Sequence, residues 1–271
     1  MLSNHASVPT IARKGWILAI CLIPSLLGTS FVSHGDVTDA VSPQTAVLQG
    51  AWVLTEKGGE NPNDLGINMI KILSENHFMF AFYHEATQSF FSAGGGTYTL
   101  QDGRYTETIL FHTIDPGLIG RQVSFDCRLE GDKWYHTGNI NGGELNEVFS
   151  KADEVDQALL AGSWHLSAFE DPSGKMVPIR KSGPMRLKVI SGSHFQYAYF
   201  DVAKKMLIES WGGTYSFDGT EYQEKIVYHS KHPQSVGHTT RFSFRMKNDQ
   251  WEHKEISVSR GYPISEIWER D

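Results

Sequence analysis

Two glutamates stand where a strand pattern calls for an apolar residue. In "YTETILF" (105–111) a period of two puts Tyr105, Glu107, Ile109 and Phe111 on one face. In "YQEKIVY" (222–228) Tyr222, Glu224, Ile226 and Tyr228 take the same places. The opposite face changes freely, Thr106 against Gln223 and Thr108 against Lys225, as a solvated face does. Glu107 and Glu224 are therefore expected inside, among aromatics. A carboxylate there is costly unless paired, hydrogen-bonded or protonated. Its chemistry would be that of a ligand anchor, or of a general acid/base with a raised pKa. The structural alternative is a buried Glu bonded to a neighbouring Tyr or Arg.

A second carboxylate recurs in both halves: Glu147 with Phe149, and Glu266 with Trp268. If these approach Glu107 and Glu224, each half holds a carboxylate pair whose pKa values are pushed apart, as acid–base catalysis requires. Solvation at a strand end is the alternative. Trp134 with His136, and Trp251 with His253, share a face and either line a pocket mouth or cap a core. Tyr98 and Tyr215, in "GGTY", offer a hydroxyl to a ligand or pack with that hydroxyl satisfied. His77 and His194 follow a turn and read as hydrogen-bonded turn residues. His112 and His229 fall on the variable face and are expected to be exposed. The glycine pairs 95–96 and 212–213 suggest a bulge, since no helix follows to make a phosphate cradle. The 12 His are not set at metal-ligand spacing, and G-x-S-x-G, P-loop and H-E-x-x-H motifs are missing. No catalytic residue, metal ligand or cofactor is assigned.

These residues come in pairs because the chain repeats itself. From Met69 to His112 and from Arg186 to His229, at a constant offset of 117, 14 of 44 aligned residues are identical. "LQGAW" (48–52) matches "LAGSW" (160–164), "DKWYH" (132–136) matches "DQWEH" (249–253), and "NEVF" (146–149) matches "SEIW" (265–268). A repeat of that length is a domain. Boundaries at 48–150 and 160–271 follow, with a short acidic link that brings the domains into contact.

Within the first copy strands are predicted near 50–55, 68–74, 77–84, 88–92, 95–100, 104–112, 121–130, 133–139 and 145–149. Turn chemistry separates them, as in "QDG" (101–103) and "NGG" (141–143). No segment keeps a period of 3.6. Short strands joined by hairpins predict an all-β protein of two antiparallel up-and-down barrels, closed so that no edge is exposed.

The ordered set Gly-x-Trp, His-Phe, Gly-Gly-Thr-Tyr, Tyr-x-Glu, Asp-x-Trp and Glu-x-Phe/Trp resembles the lipocalin-like, calycin-type domains of unknown function in bacterial secreted proteins. The resemblance covers both copies. It implies a β-barrel with room for an internal pocket, and no particular reaction or ligand.

Residues 1–35 belong to neither copy. Arg13 and Lys14 precede the apolar run "GWILAICLIPSLLG", and small residues follow. That order reads as a cleaved secretory signal, its apolar run short for a membrane span; an uncleaved anchor is the alternative. Its loss removes Cys21 and leaves Cys127, opposite Phe244, as a buried apolar residue. It also leaves 22 Lys and Arg against 31 Asp and Glu. That balance argues against nucleic acid and anionic membrane as partners. The expectation is a secreted or periplasmic monomer. Three functions stay open: a binder of a small apolar or aromatic ligand, an isomerase, cyclase or hydrolase using a buried Glu, or a structural protein with filled barrels.

Overall fold

The computed structural model describes residues 48–153, 159–180, 182–255 and 264–271. The segment read as a signal lies outside them. No helix among the described residues is long and apolar enough to cross a membrane.

The first barrel comprises β1 (Gly50–Lys57), β2 (Asn68–Leu73), β3 (His77–His84), β4 (Ser89–Gln101), β5 (Arg104–His112), β6 (Gln122–Glu130), β7 (Lys133–Ile140) and β8 (Gly143–Lys151). Neighbours in sequence pair antiparallel, and β8 closes on β1. The second comprises β9 (Gly162–Glu170), β10 (Met176–Pro178), β11 (Met185–Ile190), β12 (His194–Asp201), β13 (Met206–Phe217), β14 (Glu221–His229), β15 (Thr239–Lys247), β16 (Gln250–Glu255) and β17 (Ser265–Arg270). It closes through β17 on β9. The short β10 is an addition, a flap paired with the end of β9. The fold is two tandem, closed antiparallel barrels.

The Gly-x-Trp signature has a direct physical role. Gly50 and Gly162 take φ of 126° and 135°, a region L side chains avoid. This bend folds each indole back, and the Nε1 of Trp52 and of Trp164 donates to the carbonyl of Leu48 and of Leu160, both at 2.8 Å. Each buried Trp meets a second edge-on, Trp134 and Trp251, at 5.7 and 5.5 Å between centroids. The four indoles fill the barrel ends that carry the tight hairpins.

Three expectations are corrected around one strand and its bulge. The segments 88–92 and 95–100 form a single strand, β4, with an irregularity: Gly96 pairs with Ile109 but Gly95 pairs with Phe111, skipping Leu110. Gly213 and Gly212 repeat the slip against Ile226 and Tyr228. A bulge reverses the alternation beyond it. Phe111 and Tyr228 therefore leave the inner face and pack outside, between the barrels. His112 and His229, expected to be exposed, turn inward instead. His229 is buried and lies over Trp211, and His112 is half-buried beside Phe80.

Candidate functional site

Inside each barrel the repeated polar residues converge. Glu107 and Glu224 are buried in the interior. Each meets a lysine that alternation on β2 and β11 carries inward: Lys71 Nζ lies 2.5 Å from Glu107 Oε1, and Lys188 Nζ 2.6 Å from Glu224 Oε1. Aromatic faces surround both ammonium groups. Lys71 lies 4.9 Å from the Phe78 and Tyr105 centroids and 5.1 Å from that of Trp134. Lys188 lies 4.8 Å from Trp268, 5.1 Å from Trp251 and 5.4 Å from Tyr222. Cation–π attraction and the ion pair together offset desolvation of the charge. Tyr222 donates to Glu224 at 3.0 Å. Burial, then the neighbouring Glu charge, raises the Tyr105 and Tyr222 pKa values far above the ordinary tyrosine value, so both stay protonated.

The second carboxylates do not share a proton with the first. Glu147 Oε1 takes Lys57 Nζ at 2.6 Å, and Oε2 lies 3.2 Å from His136 Nδ1. Burial pushes the Glu147 carboxyl up, but the His136 hydrogen bond and the Lys57 charge outweigh it and hold the pKa at about 2. Glu266 Oε2 lies 2.8 Å from His253 Nε2 and accepts from Trp268 Nε1 at 3.1 Å. Burial raises its pKa, His253 lowers it, and the net shift is downward. Burial depresses the pKa of both histidines, which are neutral at pH 7. Tyr98 and Tyr215 donate to the carbonyls of Ser74 and Ser191, at 2.6 and 2.9 Å. Their hydroxyls are satisfied by the turn before β3 and β12.

Side chains fill the middle of both barrels. Space opens at one end of the second, in a cavity of about 150 Å³ lined by Leu166, Phe169, Glu170, Arg186, Ile264, Ser265 and Glu266. Of the residues singled out from the sequence, Glu266 alone lines it. Sequence reasoning missed Arg186, the second-copy equivalent of Met69, and Phe169, the equivalent of Lys57. In the first barrel Lys57 binds Glu147 and lies 5.8 Å from the Phe82 centroid. In the second the cation comes from the next strand: Arg186 lies 4.1 Å from the centroid of Tyr199, the counterpart of Phe82. Phe169 cannot bind Glu266 as Lys57 binds Glu147, and the cavity lies between Phe169, Arg186 and Glu266.

Glu209, His229 and His232 bring ligand-type atoms within 4.8 Å of one another. The hydrogen bonding does not suit a metal. His229 Nδ1 accepts the backbone N–H of Lys231 and of His232, both at 3.2 Å. That places the ring proton on Nε2, the atom nearest Glu209, where a metal would have to displace it. His112 Nδ1 likewise accepts the N–H of Asp115 at 3.0 Å. The repeated histidine caps the loop after the strand.

A family model, the domain of unknown function DUF4488, matches residues 47–151, the first barrel. Among solved structures, a lipocalin-like protein from Bacteroides uniformis is 15% identical, over 41% of this chain and 98% of its own, with a TM-score of 0.31. Two mutant forms of the vaccine antigen Transferrin Binding Protein B from Haemophilus parasuis are each 8% identical, over 74% of this chain. The match spans 60% of those chains, with TM-scores of 0.25 and 0.23. No curated protein matches the chain.

Proposed function

We propose that this is an exported small-molecule binding protein whose ligand site is the open end of the second barrel, the first barrel being a filled scaffold. One observation carries the reading. At equivalent places the first barrel is sealed by Lys57 on Glu147, whereas the second has Phe169 and a cavity of about 150 Å³. That is room for a group about the size of a benzene ring, lined by Leu166 and Phe169 and flanked by charge, which suits a small ligand with an apolar part. The interior Lys–Glu pairs lie beneath packed aromatics, out of a substrate's reach. They fit a structural role better than acid–base catalysis.

The test is a screen of fragments of about ten heavy atoms or fewer, followed by NMR shifts at Leu166 and Ser265. Binders should perturb these resonances, and Phe169→Lys, which installs the first barrel's seal, should abolish the effect. If no fragment moves them, or Phe169→Lys binds as well as the wild type, the site is wrong. Export rests on the basic, apolar and small order of residues 13–35. Mass spectrometry of the protein from its native host should find a chain lacking about the first 30–35 residues, the span that pattern occupies. An intact Met1 on soluble material overturns it.

A further inference from the structure

The charges around the cavity define the ligand more narrowly, provided the cavity is the binding site. Three charged side chains line it: Arg186, Glu170 and Glu266. Glu170 has a cation of its own, Lys254, at 3.7 Å. Glu266 uses only Oε2 for His253 and Trp268, and Oε1 has no hydrogen-bond partner among the described residues. Arg186 is half-buried, with no carboxylate within ion-pair distance among the described residues. Its guanidinium stacks on Tyr199 and lies 5.9 Å from the Phe169 centroid. Stacking fixes the plane of the group, and beyond its contact with the Tyr197 hydroxyl it keeps edge N–H donors for a bidentate acceptor. Among the described residues the cavity thus has one cation with no carboxylate partner and one carboxylate with a spare oxygen, not bonded to each other, beside an apolar wall.

A simple anion would pair with Arg186 and be repelled by Glu266. A simple cation would meet the reverse. An uncharged molecule would leave both partly desolvated and unpaired, which is costly. A molecule carrying both charges meets both demands. We propose that the site takes a small zwitterion with an apolar side chain, of the α-amino-acid type: carboxylate on Arg186, ammonium on Glu266, side chain against Leu166 and Phe169.

L-Leucine, 4-methylpentanoate, 3-methylbutylamine and 3-methylbutan-1-ol share a similar branched chain and differ in charge. They can be titrated into the whole protein by NMR at neutral pH. Leucine is expected to bind roughly tenfold more tightly than any of the other three, the size of one charge-assisted hydrogen bond. Arg186→Met, the residue the first barrel carries, should erase the advantage over the amine. Glu266→Gln, which can still accept from Trp268, should erase the advantage over the carboxylate. Melting curves should show both variants folded. Should the alcohol, acid or amine bind as tightly as leucine, the zwitterion assignment falls and the cavity remains a binding site. Arg186→Met weakening all four probes equally has the same consequence. If none of the four binds, the assignment and the site fall together.

Discussion

Glu147 and Glu266 hold equivalent places in the two closing strands, and their company decides what each does. Glu147 is enclosed by Lys57 and His136, with its pKa held at about 2 against an ordinary 4.5. A carboxyl whose pKa is lower folded than unfolded binds more protons in the unfolded chain, so its contribution is present above the unfolded pKa. It is lost as pH falls from about 4.5 towards 2. The shift corresponds to about 3 kcal/mol. Glu147→Gln should therefore melt lower than the wild type at pH 7, with the gap closing by pH 2–3. A gap that stays constant from pH 7 to pH 2 would show that the ion pair contributes nothing. The carboxylates of these sites were legible in the sequence, since a Glu repeated on an apolar face has no other place to go. Their lysines were equally repeated, in "KILS" and "KVIS", yet a lysine in a strand reads as solvated. Only the closed barrel shows that β2 and β5 bring Lys71 and Glu107 together across the interior.

At the scale of the strand, alternation is a local rule and a bulge resets it. Every inward residue from Tyr105 to Ile109 follows the period of two, and the residues beyond Leu110 do not. The signal for the reset was present as Gly-Gly in both copies. A Cβ on Gly96 would collide with the Thr108 carbonyl, and one on Gly213 with that of Lys225, so the close approach of strands requires glycine there. The glycines announce a bulge but not the residue it skips on the partner strand. This left the directions of Phe111, His112, Tyr228 and His229 open to misreading. The cavity was illegible for a related reason. It arises from two differences between the copies, Lys57 to Phe169 and Met69 to Arg186, and attention to what the copies share passes over what they do not. The flap β10, present in the second copy alone, belongs to the same end of the barrel.

The whole molecule is held together by the faces that the bulges redirect. Phe111 packs on Phe200 at 4.8 Å, and Tyr228 on Tyr83 at 5.3 Å. The repeat offset of 117 exchanges these two contacts. Around them Ile70, Ile72, Met79 and Ala81 of the first barrel meet Leu187, Val189 and Ala198 of the second in one apolar cluster. Equivalent strands of both copies thus face each other across an approximate two-fold axis, as in an isologous dimer whose subunits have been joined in one chain. Asp153 fastens its edge, accepting from Ala51 N at 2.8 Å with one oxygen and from Ser191 Oγ and Ser193 N with the other, at 2.8 Å each. Apolar burial this continuous couples the folding of the two barrels, since either alone would expose the cluster to water. Calorimetry of the wild type should show one cooperative transition. Ile72→Arg places an unpaired charge at a fully buried site in this cluster and should split the transition in two, the barrels then melting at separate temperatures. Two resolved transitions in the wild type would show that the barrels fold independently and that the interface is a contact of convenience. A single lowered transition in Ile72→Arg would show instead that the barrels cannot be uncoupled, because the face β2 presents outward is as necessary to its own barrel as to its neighbour.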